Sequence, residues 1–281
     1  MKKITHIIAA LLSVAAVASC DMFQLDNFDG PDAQVTGNLL DTKTGERIGI
    51  EGYSKTSGSW WSQTTTYYGA LTITEQGWKN PKDGSDVSQD QVWLVRYDGH
   101  YTNNRIFAAD YKVSMKNLPV YQPDNADFTI KKGSNTLDFK VTPFCRIINP
   151  QFSYDASARK IKATFSVELG DASKANNISN VVFCCNTTTF VGSEFGNMAK
   201  DDSGAKKQGN NVVAPGEQVT LEISLDNPKN VELFRYTQDR YLRVAAMAKG
   251  NGQNTNNVYN FSKIYKISAD FKTITEVIWE D

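Results

Sequence analysis

The sequence predicts an all-β protein made of two tandem β-sandwich domains behind a signal peptide. Short segments of alternating apolar and polar residues recur from residue 33 to the C-terminus, separated by turn-forming residues, and no long helical period interrupts them. Removal of the first 19 of the 281 residues leaves 262. That length suits two domains of about 100–130 residues, each able to bury its own core.

The first twenty residues have the layout of a secretory signal. Lys2 and Lys3 precede an apolar run over residues 4–17, and small residues follow at the cleavage position. The run is shorter than the ~20 apolar residues of a membrane span, which argues against a transmembrane anchor. An ordinary cleaved signal remains an alternative.

A cysteine at the cleavage position favours a lipid anchor instead. Residues 17–20 resemble the lipobox of bacterial lipoproteins, which implies that Cys20 is lipidated and that residues 20–32 are a tether. Asp21, Asp26 and Asp29 resemble the acidic signal by which Bacteroidetes export lipoproteins to the cell surface. The resemblance implies a protein anchored in the outer membrane and facing the exterior.

Charge and cysteine content narrow the chemistry. Without Lys2 and Lys3, 28 basic residues face 31 acidic ones, a net charge of −3, and no basic patch indicates a nucleic-acid partner. Three cysteines remain beyond the anchor, an odd number, so at least one is a free thiol or an intermolecular partner. They are Cys145, Cys184 and Cys185. A disulfide from the first to either of the others stays open.

The first domain is predicted over residues 33–143. Its strands are expected at residues 33–41, 46–50, 91–95, 110–115, 127–130 and 136–141, with turns at 41–45 and 132–135. The segment between Gly52 and Asp90 is larger than a minimal sandwich needs.

The order of several short motifs in this domain resembles the transthyretin-like, carboxypeptidase-regulatory-like sandwich. The motifs stand at residues 35–46, 98–101, 111–113 and 137–143. With the preceding segment 26–31, the chain is similar to a family of Bacteroidetes lipoproteins of unknown function, in which such a domain precedes an immunoglobulin-like one.

The second domain is predicted over residues 144–281 as a fibronectin- or immunoglobulin-like sandwich. Its strands are expected at residues 160–169, 181–185, 218–225, 241–248 and 260–267. In the run 181–185 the two adjacent cysteines should point to opposite faces, with one facing the core. Residues 198–211 are polar and predict a long loop.

The sequence predicts no catalytic residue, metal site or cofactor. His100 is the one histidine after signal removal, it follows a turn, and no nucleophile elbow, zinc-binding helix or P-loop occurs. Spacing does not exclude a pair of glycosidase carboxylates, but small β-sandwiches with short turns rarely build the cleft that such a pair needs. Calcium binding at turns such as Asp201 and Asp202 stays open, without EF-hand-like spacing to support it. We therefore expect a protein that is not an enzyme.

Aromatic residues are the candidate ligand-binding side chains. Trp60, Trp61, Tyr67, Tyr68 and Trp78 lie in the oversized part of the first domain. Aromatic rings stack on the C–H faces of sugars and keep a polar edge for hydrogen bonds. The alternative is that neighbouring rings straddle a strand, with one in the core and one outside.

Two further aromatic features favour packing over binding. Trp93, in the middle of a strand, is expected in the core. A second group, Arg235, Tyr236, Arg240 and Tyr241, fits ordinary packing with arginines reaching solvent.

The family resemblance implies a function beyond these residues. Lipoproteins of this kind accompany SusC- and SusD-like outer-membrane proteins that capture and import glycans. The leading hypothesis is therefore a non-catalytic surface lipoprotein that binds or presents a polysaccharide. The alternative is a structural module that docks a SusC/SusD-like pair or supports adhesion and binds no sugar.

Overall fold

The structure is a computed structural model that describes residues 30–123, 126–175, 177–250 and 255–278. The predicted signal peptide, most of the tether and Cys20 lie outside these residues. No helix in the described ranges is long and apolar enough to cross a bilayer. The described chain is all-β, with a single α-helical turn, α1 (Val231–Phe234).

Ten strands of the described chain precede residue 142. They are β1 (Ala33–Asp41), β2 (Tyr53–Ser59), β3 (Ser62–Tyr68), β4 (Ala70–Glu75), β5 (Gln89–Leu94), β6 (His100–Ile106), β7 (Asp110–Ser114), β8 (Asp127–Thr129), β9 (Gly133–Thr136) and β10 (Phe139–Val141). β1 is central in one sheet, antiparallel to β6 and parallel to both β9 and β10. The second sheet has the order β5-β4-β7-β8, and β2 and β3 form a separate ribbon.

Within the residues that the structure describes, nine strands follow residue 144. They are β11 (Cys145–Asp155), β12 (Lys160–Leu169), β13 (Asn177–Asn186), β14 (Lys206–Val213), β15 (Gln218–Ser224), β16 (Arg240–Lys249), β17 (Asn260–Phe261), β18 (Tyr265–Ile267) and β19 (Ile274–Glu276). One sheet has the order β11-β12-β15, and the other β14-β13-β16-β18-β19 with β17 beside β16. The predicted boundary at residues 143 and 144 falls between β10 and β11.

Most predicted strands are confirmed, and β12 has the predicted limits. Along it, burial alternates from Ile161 to Val167 because every second side chain faces the opposing sheet. Trp93 is in the core, with 2% of its surface exposed. These segments were predictable because period-two alternation directly encodes a half-buried strand.

Five predictions were wrong in detail. The predicted strand 46–50 is not a regular strand and forms isolated bridges at Arg47 and Gly49. The predicted turn at 132–135 is largely strand β9. The predicted strand 136–141 is interrupted at residues 137 and 138, where the Leu137 carbonyl accepts a hydrogen bond from the Tyr101 hydroxyl. The predicted loop 198–211 contains a 3₁₀ turn at Ser203–Ala205 and the edge strand β14. Segment 260–267 is two short strands rather than one.

The two cysteines of β13 are both buried, whereas one was expected to face the core. Cys185 lies in the core between the two C-terminal sheets, and Cys184 lies in a smaller cluster with Val191 and Phe261. That smaller cluster also packs against Tyr97 from the N-terminal strands. β13 is thus covered on both faces, which explains its nearly continuous apolar sequence.

Buried polar contacts fasten the N-terminal sheets to the C-terminal ones. Arg146 makes a two-pronged ion pair with Asp41, with nitrogen–oxygen distances of 2.6 and 2.7 Å. The Arg243 guanidinium donates to the carbonyls of Ile50 at 3.0 Å and Tyr97 at 2.8 Å. Burial lowers the pKa of Arg243 to about 10, so it stays cationic at neutral pH. These contacts fix how the two sets of sheets meet.

Candidate functional site

A two-stranded hairpin carries four of the five predicted aromatic residues. In the pairing of β2 with β3, Ser59 lies opposite Ser62, so Trp60 and Trp61 form the two-residue turn between them. Gly58 adopts φ +112°, and a Cβ there would collide with the Ser62 carbonyl, so the tight turn needs glycine. The serine- and threonine-rich strands suit a pleated ribbon.

The turn leaves both tryptophans in solvent. Trp60 is 85% exposed and Trp61 is 71% exposed. Their ring centroids are 5.2 Å apart and the rings are nearly perpendicular, at 83°. They therefore form an edge-to-face pair at the tip of the hairpin rather than a coplanar platform, and neither ring is in the core.

One side of the hairpin base packs on the C-terminal sheets. Tyr53 stacks on Tyr68 with centroids 4.7 Å apart, and it contacts Phe195 at 5.5 Å. Lys55 lies over both tyrosine rings and pairs with Glu194 at 3.3 Å. This side anchors the ribbon, because an isolated two-stranded hairpin is only marginally stable in water.

Beside the hairpin base lies a groove of about 460 Å³. We call this the aromatic groove; its lining residues are Gly52, Tyr53, Ser54, Tyr67, Leu94, Val95, Arg96, Tyr97 and Phe190. Tyr67 and Leu94 are exposed, and Phe190 is 63% exposed. The volume is in the range of small-ligand pockets, and mostly apolar walls with few polar groups are typical of them.

Both sets of sheets contribute to the aromatic groove. Phe190 follows β13, and its ring meets Tyr97 edge-on at 5.8 Å. The loop beyond Phe190 is held by Glu51, which lies just before β2. The Glu51 carboxylate accepts hydrogen bonds from the backbone N–H groups of Ser193 at 2.8 Å and Phe195 at 2.8 Å. The position of Phe190 in the groove wall therefore depends on the hydrogen bonds between Glu51 and this loop.

Charge in the groove is compensated. Arg96 lies 3.6 Å from Asp98, whose largely buried carboxylate also pairs with Arg47 at 3.3 Å. Burial raises the pKa of the Tyr97 hydroxyl. Burial, and to a smaller extent the nearby Glu194, raises the pKa of the Tyr53 hydroxyl, so both hydroxyls stay neutral. The site offers rings and neutral hydrogen-bonding groups, which suits binding rather than proton transfer.

The structure distributes the five predicted binding residues over four places. Tyr67 lines the aromatic groove, and Trp60 and Trp61 form the hairpin tip. Tyr68 is half-buried on the anchoring side, and Trp78 lies on the β4–β5 connection. Among the described residues, no ring contact joins Trp78 to the hairpin tip.

Sequence reasoning missed several groove residues. These are Tyr53, Leu94, Arg96, Tyr97 and Phe190. A lone phenylalanine after three threonines was the one available signal for the last of them. The other missed residues lie at or just beyond the ends of β2 and β5, which come together only in the folded chain.

Other candidate residues have structural partners. His100 lies within hydrogen-bonding distance of Asn38 at 3.2 Å and Thr36 at 3.3 Å. Buried Arg240 donates to main-chain carbonyls, including that of Tyr236 at 2.6 Å, so it packs inside rather than reaching solvent. Asp202 accepts from the Asn230 side chain at 2.6 Å. Within the described ranges, no group of three or more potential ligands could hold a metal ion.

Fold and groove together define an all-β, multi-domain sandwich protein with an exposed aromatic site. Residues 33–142 match the model of the family described as "Protein of unknown function (DUF3823) N-terminal domain". No curated protein matches the chain.

Solved structures show the same fold. A Bacteroides uniformis protein described as a "putative carbohydrate binding protein" is 25% identical, with a TM-score of 0.67 over 88% of this chain and 100% of that one. DUF3823 family proteins from Bacteroides ovatus (21% identical, TM-score 0.56, 85% and 100% covered) and Parabacteroides merdae (18%, 0.58, 85% and 99%) are also similar.

Proposed function

We propose that this protein is a non-catalytic lipoprotein of the outer-membrane surface that binds a polysaccharide through the aromatic groove and the adjoining β2–β3 hairpin. Lipid at Cys20 holds it on the membrane, where it assists SusC/SusD-like proteins in capturing and importing glycans. One observation carries the binding role. The hairpin exposes the rings of Trp60, Trp61 and Tyr67 to solvent, and none of the three belongs to the core of either domain.

The groove chemistry supports a sugar ligand. Tyr67 and Phe190 offer ring surface, while Ser54 and the tyrosine hydroxyls offer hydrogen bonds at the edges. Several aromatic side chains grouped at one exposed surface are unusual unless they bind something. The Bacteroides uniformis protein, which aligns over nearly the same length, is described as a "putative carbohydrate binding protein" and supports the same class of ligand.

Glycan binding by the chain from Asp21 onward tests the proposal. This chain keeps every residue that the structure describes. Affinity gels against plant, mucin and microbial polysaccharides identify the ligand, and calorimetry measures its Kd. We expect Tyr67→Ala and Phe190→Ala each to weaken binding by about 1–2 kcal/mol, roughly fivefold to thirtyfold.

Tyr236→Ala is the matched control, because Tyr236 is an exposed aromatic outside the groove. It should leave the Kd unchanged. Undiminished binding by both groove variants would place the site elsewhere. If no polysaccharide binds, the groove instead serves a protein partner, and crosslinking to outer-membrane proteins becomes the next experiment.

A further inference from the structure

The hairpin presents aromatic rings at two separated points. Tyr67 lies in the aromatic groove at its base, and Trp61 lies at its tip, six residues earlier in the chain. At a rise of about 3.3 Å per residue, these positions are roughly 20 Å apart along β3. A single sugar ring cannot reach both, whereas an oligosaccharide can.

Neutral polar groups lie between the two points. Facing residues of an antiparallel pair share a side of the ribbon, so Thr56 and Thr65 lie on the same side as Ser54 and Tyr67. The two threonine hydroxyls are 3.0 Å apart. Gln63 continues this side toward the tip. This side of the ribbon carries hydroxyl and amide groups along its length.

The ribbon carries almost no charge. Lys55 is the one charged residue in the sequence from Tyr53 to Tyr68. It lies on the opposite side, where it pairs with Glu194. In the groove, Arg96 lies beside Asp98. A polyanionic ligand would find no run of cations along this surface, and such a run is what acidic polymers require.

We infer that this surface binds a neutral polysaccharide, with one glycan chain contacting the aromatic groove and the tryptophan tip at once. The inference rests on the proposed function and narrows its ligand class. Once the groove is occupied, contact with the tip becomes intramolecular, so modest affinities at each point combine. Affinity should therefore rise with chain length until the ligand spans the ribbon.

Calorimetry with oligosaccharides of increasing length tests whether affinity rises with chain length and whether the ligand is neutral. The probes are glucan, mannan and xylan series from disaccharide to octasaccharide, with polygalacturonate and chondroitin sulfate as acidic polymers. We expect neutral ligands to bind more tightly as they lengthen. Raising NaCl from about 50 to about 500 mM should change the Kd less than about twofold, because neutral ligands are not screened.

Variants separate the two contact points. The double variant Trp60→Ala/Trp61→Ala should lose the gain in affinity with length but bind short oligosaccharides as before. Tyr67→Ala should weaken both short and long ligands. Tyr236→Ala, which removes an exposed aromatic that lies outside the aromatic groove and outside the hairpin, should change neither. Unfolding curves confirm that each variant is folded.

The outcomes are distinguishable. Preference for acidic polymers, a Kd that rises about tenfold or more with salt, or no gain with length would overturn this inference and leave polysaccharide binding intact. Absence of binding to every glycan would overturn the proposed function itself, and this inference with it.

Discussion

The carboxylate of Glu51 accepts a hydrogen bond from the backbone N–H of Phe195 at 2.8 Å, although the two residues are 144 positions apart in the chain. The same carboxylate also receives the Ser193 N–H and hydroxyl and the Glu194 N–H. A buried side chain before the hairpin thus organises a loop of the C-terminal sheets. The aromatic groove forms where that loop meets the N-terminal strands.

Replacement of Glu51 should destabilise the fold and disturb the groove. Glu51→Ala removes a charged acceptor from several donors and should lower the free energy of unfolding by roughly 2–4 kcal/mol. Glu51→Gln keeps an acceptor and should cost less. Urea unfolding followed by fluorescence measures both, and a Glu51→Ala protein as stable as the wild type would contradict the assigned contact.

Gly192 should not tolerate a side chain. A Cβ at this position would collide with the Glu51 carboxylate. Gly192→Ala should therefore lower the unfolding midpoint and weaken glycan binding together, since the loop that carries Phe190 must move. Gly30→Ala is the control, because nothing lies within 4 Å of a Cβ there. Equal midpoints for the two variants would refute the steric argument.

The Asp41–Arg146 pair should make stability fall in acid. Burial raises the pKa of Asp41, but hydrogen bonds from Arg146 and from the Lys43 N–H outweigh it, so the pKa lies below the usual 3.8. A carboxylate of lowered pKa stabilises the fold above its unfolded pKa and loses this contribution as pH falls through the folded value.

Asp41→Asn tests this ion pair. It should lower the unfolding free energy at pH 7 by roughly 3–5 kcal/mol, because it leaves the buried guanidinium of Arg146 without its anion. The variant should also lose less stability than the wild type as pH falls below about 4. The exposed pair of Lys79 and Asp86 supplies the control, and Asp86→Asn should change stability by less than about 1 kcal/mol.

The three cysteines should be unreactive until the chain unfolds. Cys145, Cys184 and Cys185 are all free and buried, so the disulfide left open by the sequence is not formed. Burial raises the pKa of Cys145 and Cys185 to about 12. In the chain from Asp21 onward, a thiol reagent should label none of them natively and all three in denaturant. Native labelling would show that the protein opens at β13 or β11.

Strands with a clear alternation could be placed from sequence, and those without it could not. β12 and β15 lie in a sheet that has one face against the core and the other toward solvent, so apolar and polar residues alternate along them. β14 is an exposed edge strand of lysine, glycine and asparagine, and its composition resembles a loop. Its strand conformation comes from pairing with β13.

The binding site was predictable only in part. Adjacent aromatic residues among serine and threonine pointed to the hairpin, but the pattern could not decide which rings would be buried. Tyr67 and Tyr68 are neighbours in sequence, and the pleat sends one into the aromatic groove and the other against the C-terminal sheets. Phe190 joined the site through a contact with Tyr97 that has no sequence signal.

The sequence by itself determined the all-β class and most strand positions, because local periodicity reflects which face of each strand is buried. The tertiary structure decided where the two sets of sheets meet. The partners that Glu51, Asp41 and Arg243 find across this contact are distant in the chain. Three of Glu51's four donors belong to the backbone, as do the Ile50 and Tyr97 carbonyls bound by Arg243. Backbone groups are present at every position, so no residue pattern marks them, and only folding brings them to these side chains.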